Sequence, residues 1–279
     1  MAINEEGGFF SLPGAQDKIP VIKNGKGLFM SKGLHPTTHI IKSPNRYHPE
    51  ALNSVYNEHF CMSLARAIGL SVPLTQVVED EIPFYIIERY DRKVDGKRVL
   101  RLHQQDFCQA QGVLSSVKYE IQGGPSIKDN YELILRHSSN VISDVRSFLV
   151  WVFFNLLIGN NDSHSKNITF LMHGSEASFS PLYDLLSTAI YPDIRKKFAF
   201  KVAGQNIWSE IKSRHLRIME KDLNLKNHFL SGILDELIDN MESSLPKVME
   251  DMQDFSEKAV FITLQKEIEK RLKHFKRLK

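Results

Sequence analysis

A polar segment at residues 159–170, GNNDSHSKNITF, directly follows a long apolar stretch and carries side chains suited to phosphoryl transfer. Such a transfer needs a carboxylate that orients the acceptor hydroxyl and an amide oxygen that binds a metal ion. In protein kinases one loop supplies both, as an Asp followed after four residues by an Asn. Asp162 and Asn167 have this spacing. Because Asp and Asn also form ordinary turns, the loop alone leaves a purely structural interpretation open.

A second carboxylate, Asp184, lies seventeen positions after Asn167, within the segment YDLLS. A hairpin-like stretch separates the two residues. In phosphotransferases a second metal-binding Asp follows such a hairpin, so that both carboxylates face one cleft. Asp184 is equally suited to cap a helix that begins at Leu185, and the sequence alone does not separate these two interpretations.

Lys42 ends the apolar segment THIIK at residues 38–42, which predicts a strand. A kinase places the ammonium that pairs with the ATP phosphates on such a strand, although lysines also end many ordinary strands. Glu58 lies on the next predicted helix, on a face that it shares with apolar residues. A carboxylate in that position needs a partner, so we expect an ion pair between Glu58 and Lys42.

Residues 11–18, SLPGAQDK, come immediately before the first predicted strand. The small residues Gly14 and Ala15 would let backbone N–H groups approach a phosphate. The segment matches neither the G-x-G-x-x-G pattern nor the Walker A loop, so taken by itself it is a turn.

The elements that position these residues differ between the two parts of the chain. Up to about Glu88 the pattern favours strands, with Asn24-Gly25 as the turn of a first hairpin. Beyond Glu88 the apolar residues recur mostly at helical spacing. Predicted strands cover residues 18–23, 27–30, 38–42, 72–78, 84–88, 168–172 and the vicinity of Phe179, and predicted helices cover residues 49–70, 130–137, 143–158 and much of 220–279.

This division predicts an α+β fold with two lobes. A small β-rich amino-terminal lobe over residues 1–90 would bind the nucleotide, and a larger helical lobe over residues 91–279 would carry the catalytic loop. The polar stretch YDRKVDGK at residues 90–97 lies between them and is the candidate boundary. Ligand sites favour such interfaces between domains.

Composition excludes several classes of protein. Of the 279 residues, 42% are hydrophobic and 25% charged, which is typical of a globular chain rather than a disordered one. The net charge of +3 is too weak to indicate nucleic-acid binding, and two cysteines provide neither a disulfide framework nor a structural zinc site. The amino terminus lacks the features of a signal peptide, and the apolar run at residues 148–158 is too short to span a membrane. We therefore expect a cytoplasmic protein.

The order of the candidate residues favours one interpretation over the others. A small-residue loop, a strand lysine, a helix glutamate, the Asp-x-x-x-x-Asn loop and a later Asp occur in the order that a bilobed kinase requires. Three alternatives remain open. They are a non-catalytic pseudokinase scaffold, a metal hydrolase that uses Asp162, His164 and Asp184, and a small-molecule phosphotransferase.

Eight longer segments, taken in order, resemble the HipA family of bacterial serine/threonine-protein kinase toxins. These segments are GAQDK (14–18), HPTTHIIKSP (35–44), NEHFC (57–61), ERYDR (88–92), GVLSSVKYE (112–120), GGP (123–125), IGNNDSHSKN (158–167) and PLYDLLS (181–187). The resemblance extends from about Ser11 to the carboxyl terminus. It implies a kinase-like fold, the use of ATP and Mg²⁺, and phosphate transfer to a protein serine or threonine.

Several positions match residues that have roles in that family. The resemblance implies that Asp162 is the catalytic base and that Asn167 and Asp184 bind Mg²⁺. It also implies that Lys42 binds the ATP phosphates and that Ser11 is autophosphorylated, which in the family ejects the phosphate loop and silences the kinase. The remaining implied neighbours of ATP are Pro13, Gly14, Ala15, Gln16, Asp17 and Lys18 in the phosphate loop, Glu88, Arg89 and Tyr90 in the hinge, and His164 and Tyr183.

The resemblance implies partners as well. Only ten residues precede Ser11, as in the short HipT toxin of the three-gene HipBST arrangement, whose missing subdomain is a separate small HipS-like protein. A helix-turn-helix antitoxin like HipB and an aminoacyl-tRNA synthetase substrate, glutamyl or tryptophanyl, would be further partners. Residues 199–215 align with the DNA-contacting segment of HipA but hold fewer lysines, so we expect no direct DNA contact and no membrane association.

Overall fold

The computed structural model describes residues 18–31, 35–44, 53–96, 98–194 and 196–278. These residues form an α+β fold, which confirms the predicted fold class. The strands are β1 (Lys18–Asn24), β2 (Gly27–Met30), β3 (His39–Lys42), β4 (Thr75–Val78), β5 (Phe84–Glu88), β6 (Arg92–Asp95), β7 (Arg98–Arg101), β8 (His103–Asp106), β9 (Thr169–His173) and β10 (Glu176–Phe179). The helices are α1 (Ser54–Ala67), α2 (Phe107–Ala110), α3 (Ile127–His137), α4 (Val141–Ile158), α5 (Ser213–Asp222), α6 (Phe229–Asp251) and α7 (Lys258–Lys276).

A five-stranded antiparallel sheet, in the order β2-β1-β3-β5-β4, forms the amino-terminal part of the fold. The β1–β2 hairpin turns one residue later than predicted, because Asn24 pairs with Gly27 and the two loop residues are Gly25 and Lys26. The Asn24 side chain accepts a hydrogen bond from the Lys26 backbone N–H at 2.9 Å. This local bond stabilises the turn in the position observed.

Helix α1 packs against β4 and β5 of this sheet and against α6 and α7. Its inward face carries Val55, Tyr56, Phe60 and Leu64, which the periodicity of the sequence predicts to be buried and which are at most 2% exposed. The chain turns away at Gly69, whose φ of 82° lies in the left-handed region that favours glycine. The predicted helix start at residue 49 lies outside the described residues.

The polar stretch predicted as a boundary contains β6, which pairs with β7 in a two-stranded sheet. Most of its residues are exposed, so neither strand shows the apolar alternation by which a strand is recognised in sequence. The Leu102 N–H donates to the Asp91 carbonyl at 3.0 Å, which closes the hairpin. Strand β8 follows at once and pairs with β9, which pairs with β10. The division into two domains stays a prediction.

Helix α4 is central to the larger part of the fold. It packs against α3, α6, α7 and β10, and its residues 148–158 are almost inaccessible to solvent. It is longer than the apolar run counted from the sequence. Among the described residues it is the one helix that is long and apolar enough to cross a membrane, but 72% of it is buried inside the protein. Its surroundings are therefore those of a core helix.

Arg271 of α7 connects that helix to the end of α4. Its side chain is almost fully buried and donates to the Leu156 carbonyl at 2.9 Å and to Glu267 at 2.8 Å. The guanidinium carbon lies 4.6 Å from the centroid of the Trp208 ring, which is within the range of a cation–π contact. Because Leu156 belongs to the last turn of α4, Arg271 satisfies a carbonyl that the helix itself leaves unpaired.

Candidate active site

Lys42, at the end of β3, lies between two carboxylates from distant parts of the chain. Its Nζ is 2.7 Å from Glu58 Oε1 on α1 and 2.5 Å from Asp184 Oδ1. Lys42 and Glu58 are only 4% and 3% exposed, so each charge depends on the other in place of water. The structure thus brings the expected lysine and glutamate together and adds Asp184 to the pair.

The position of Lys42 follows from the pairing of β3. Lys42 is opposite Lys18 of β1 and Tyr85 of β5, so hydrogen-bonded neighbours on both sides hold its backbone. Side chains alternate between the faces of a strand, and the preceding Ile41 joins a small apolar cluster on the opposite face. Lys42 consequently points to the face that α1 covers, where Glu58 meets it.

The three charges alter one another's ionisation. Burial alone would lower the pKa of Lys42, but the carboxylates of Asp184 and Glu58 hold it above its usual value. Burial alone would raise the pKa of Asp184, but the charge of Lys42, assisted by Lys18, holds it well below its usual range. Lys42 and Asp184 are therefore both charged at neutral pH.

Buried asparagines hold the polar loop that follows α4. Gly159, with a φ of 80°, permits the sharp change of direction at the helix end. Asn160 Nδ2 then donates to Asn155 Oδ1 at 2.8 Å and to the Asp184 carbonyl at 3.2 Å. The Asn160 Oδ1 accepts from the Asp162 N–H at 3.1 Å. One side chain thus joins α4, the Asp162 loop and the Asp184 segment.

Asp162 presents a carboxylate with 50% of its side-chain surface exposed. Its Oδ1 accepts a hydrogen bond from the Tyr119 hydroxyl and lies 4.0 Å from His164 Nε2. Burial lowers the pKa of His164 to about 4, so the imidazole is neutral at pH 7. Asp162 is therefore accessible to a hydroxyl group that enters from solvent.

Asn167 and Asp184 lie side by side, with Asn167 Nδ2 3.3 Å from Asp184 Oδ2. No helix begins at Leu185, so the interpretation of Asp184 as a helix cap is wrong. Mg²⁺ prefers oxygen ligands and is often held by one or two protein groups together with nucleotide phosphates. One carboxylate and one amide fit such an ion. In the part of the chain that the structure describes, no cluster of three or more His, Cys, Asp or Glu would hold a metal alone.

The expected hinge residues follow β5 and have different surroundings. Glu88 is exposed. Arg89 donates from Nε and Nη2 to the two carboxylate oxygens of Asp91 at 2.9 and 2.8 Å. The Tyr90 ring stacks on that of Tyr183, with centroids 5.2 Å apart and an interplanar angle of 22°. This stacking brings the hinge against the segment that carries Asp184.

Of the predicted phosphate loop, the structure describes only Lys18. Ser11, Pro13, Gly14, Ala15, Gln16 and Asp17 lie outside the described residues. Their predicted roles therefore stay predictions. Lys18, the last residue of the predicted loop, begins β1 opposite Lys42, and its charge contributes to the lowered pKa of Asp184. The start of β1 is thus close to the charged cluster.

Two residues of the site, Tyr119 and Asn160, are absent from the predictions made from sequence. Tyr119 lies 43 positions before Asp162, and no local pattern indicates that a tyrosine so far away will meet the loop. Asn160 lies within the loop itself, two positions before Asp162. Its closeness to a candidate base is a signal by which it could have been found.

The comparison with known families gives one match that spans most of the chain. The sequence model of the family described as HipA-like C-terminal domain matches residues 10–245. Among curated proteins, the chain is 37% identical over 252 residues to the putative kinase Y4mE of Sinorhizobium fredii, covering 90% of this chain and 59% of that protein. It is 30% identical over 253 residues to the serine/threonine-protein kinase toxin HipA of Shewanella oneidensis, covering 86% and 57%.

Two solved structures have a similar fold. The HipA toxin–antitoxin complex of Shewanella oneidensis, determined with HipB and operator DNA, contains a chain that matches with a TM-score of 0.84 and 28% identity, covering 98% of this chain and 66% of that one. The Helicobacter pylori proinflammatory kinase CtkA matches with a TM-score of 0.58 and 13% identity, covering 99% and 95%. The chain thus spans less than two thirds of the length of the two curated relatives.

Proposed function

The chain belongs to the HipA-like C-terminal domain family, and from that membership we propose that it is an ATP-dependent serine/threonine-protein kinase. Its relatives are named as a serine/threonine-protein kinase toxin and as putative kinases, which supports the use of ATP. The kinase-like fold supports the same activity.

One observation carries this proposal. Lys42, Glu58 and Asp184 meet within 2.7 Å although they come from β3, α1 and a segment 142 positions beyond Lys42. Asn167 adjoins Asp184, and the Asn160 side chain joins the Asp162 loop to the same segment. These are the charges and amides that phosphoryl transfer requires, brought together from four parts of the chain.

In the proposed mechanism Asp162 accepts a hydrogen bond from the acceptor serine or threonine hydroxyl and orients it towards the terminal phosphate. Asn167 and Asp184 would hold Mg²⁺, which neutralises negative charge on the phosphates when it is bound. Lys42 would give up its ion pair with Asp184 and bind the phosphates, while its ion pair with Glu58 would remain. The backbone of Glu88 and Tyr90 would contact the adenine ring, and Arg89, His164 and Tyr183 would line the nucleotide site.

We also propose regulation through Ser11 and the small-residue loop that follows it, Pro13 to Lys18. A phosphate on Ser11 adds nearly two negative charges beside the ATP phosphates, and this repulsion would disfavour the closed loop. The support for this proposal is the resemblance of the segment to the phosphate loop of HipA kinases.

The wider role we propose is that of the toxin in a bacterial, cytoplasmic toxin–antitoxin system. The similar Shewanella structure is a complex with HipB, which supports a HipB-like antitoxin as partner. A small HipS-like subunit is a second proposed partner. The proposed substrate is an aminoacyl-tRNA synthetase, glutamyl or tryptophanyl, and the chain itself is proposed to make no direct contact with DNA.

The test is incubation of the purified chain with γ-labelled ATP, Mg²⁺ and a panel of aminoacyl-tRNA synthetases, followed by mapping of the phosphorylated sites. We expect label on a serine or threonine of one synthetase and on Ser11. Tight binding of an antitoxin without any transferred phosphate would instead identify a pseudokinase scaffold.

A further inference from the structure

Tyr119 is supported by a tight turn that the mechanism above does not use. Its carbonyl accepts hydrogen bonds from the Gln122 and Gly124 N–H groups, both at 2.9 Å. A Cβ on Gly124 would lie 2.1 Å from the Val117 carbonyl oxygen, so the turn has no space for a side chain there. The turn from Val117 to Gly124 therefore forms a compact support for the tyrosine.

Contacts on several sides restrict this turn and the tyrosine ring. Glu120 accepts a hydrogen bond from the Lys201 N–H at 2.7 Å, which attaches the turn to the neighbouring segment. The Tyr119 ring meets the His164 ring edge to face, with centroids 5.1 Å apart. The Lys118 ammonium lies 5.1 Å from the centre of the Tyr119 ring. Few orientations of the phenol remain.

The phenol is directed at one atom of the candidate base, because the Tyr119 hydroxyl donates to Asp162 Oδ1. The Asp162 side chain is half exposed, and an aspartate in that position otherwise rotates among several orientations. A hydrogen bond to an ionised oxygen is among the stronger ones in proteins. Fixing Oδ1 therefore selects the direction in which Oδ2 points.

We propose that Tyr119 is a positioning residue for phosphoryl transfer, whose hydroxyl holds Asp162 Oδ1 so that Oδ2 faces the acceptor hydroxyl. The proposal rests on the proposed kinase function and deepens it. Misorientation of a reacting group by a small distance costs a large part of the rate. Since the tyrosine hydroxyl touches Asp162 and not Lys42 or Asp184, its effect falls on the transfer step and not on nucleotide binding.

The first test is Tyr119→Phe, which removes the hydroxyl but keeps the ring against His164. With the synthetase that the panel identifies as acceptor, we expect kcat for transfer from γ-labelled ATP to fall by about 10- to 100-fold. The KM for ATP should stay unchanged. The matched control is Tyr131→Phe, in a buried position on α3. That variant is expected to keep the wild-type kcat.

A double-mutant cycle separates positioning from a general structural effect. If Tyr119 acts through Asp162, then adding Tyr119→Phe to Asp162→Asn produces no further loss in the residual rate. A double variant whose fold-loss in rate equals the product of the two single losses would overturn the proposal, because the two residues would then act independently. A wild-type or raised kcat for Tyr119→Phe alone would overturn it too, and a raised value would show that the phenol obstructs the acceptor.

A crystallographic readout keeps the proposal testable without activity. In crystals of the wild-type chain we expect one orientation of the Asp162 carboxylate, and in Tyr119→Phe several orientations. A single orientation of the Asp162 carboxylate in both the wild type and Tyr119→Phe would refute the positioning role. If the wild-type chain transfers no phosphate to any acceptor, the kinase proposal fails, while this comparison still decides whether Tyr119 orients Asp162.

Discussion

Lys42 Nζ and Asp184 Oδ1 form an ion pair at 2.5 Å, although each is proposed to bind a group of the nucleotide complex. The ammonium would bind phosphate oxygens and the carboxylate would bind Mg²⁺. A bound nucleotide would therefore replace the Lys42–Asp184 ion pair by two new ones, and Glu58, which is 2.7 Å from Lys42, could keep its contact. Without nucleotide, one ammonium thus faces two carboxylates, and Lys42 holds both of them.

Replacing Lys42 by Met is expected to reduce both stability and nucleotide binding. The change leaves the buried Glu58 carboxylate and its neighbour Asp184 without their cation, and loss of one partner from a buried ion pair costs roughly 3 kcal/mol or more. Urea unfolding would measure the free energy, and calorimetry the ATP affinity. The control Lys23→Met, on the exposed end of β1, should change the unfolding free energy by less than about 0.5 kcal/mol. Equal stability of the two variants would contradict the importance of the ion pair.

Asp162→Asn is expected to lower phosphoryl transfer by at least about 100-fold, since an amide cannot accept the acceptor proton as a carboxylate does. The side chain is half exposed, so thermal unfolding should stay close to that of the wild type. Asp239→Asn, on the exposed face of α6, is the matched control. Transfer at the wild-type rate by the Asp162 variant would exclude it as the base.

Asn167→Ala is expected to raise the Mg²⁺ concentration needed for half-maximal activity by about tenfold, because one proposed oxygen ligand is removed. Activity measured against Mg²⁺ at constant ATP tests this expectation. Asn240→Ala, on an exposed turn of α6, should leave the dependence unchanged. A Mg²⁺ dependence that is the same in both variants would argue against a metal ligand at position 167.

The stability of the protein is expected to depend on pH through His59. Its ring contacts Thr75 and Phe255, and burial lowers its pKa to about 4, against about 6.5 in an unfolded chain. Between these values the unfolded chain binds more protons than the folded one, so the free energy of unfolding decreases as the pH falls from about 6.5 towards 4. His59→Gln should reduce this slope by up to about 1.4 kcal/mol per pH unit. Urea titrations at several pH values would reveal the difference, and identical slopes would refute it.

Much of the fold could be predicted because its apolar pattern is strong. The buried face of α1 and the long helix α4 follow directly from periodicity. The β6–β7 hairpin was missed because its residues are mostly exposed and thus show no apolar alternation. Apolar alternation arises where one face of a strand is buried, so a strand with both faces exposed does not show it.

The site was predicted unevenly for a different reason. Lys42 and Glu58 are recognisable as a pair because buried charges of opposite sign need each other. The sequence indicates Asp184 as a metal ligand or a helix cap, and not as a partner of Lys42. The contact between Tyr119 and Asp162 arises from tertiary packing across 43 positions, and neither residue is buried enough to require a partner. Such a contact becomes visible only when the turn that carries Tyr119 is placed in space.

The bond from Arg271 to Leu156 has a consequence for the synthesis of the protein, because it joins residues 115 positions apart. The ribosome adds about 5–20 residues per second, so about 6–23 s separate the translation of the two. During that interval the helix leading to Asp162 lacks its closing donor. We therefore expect the loop that carries Asp162 to reach its final position only late in translation.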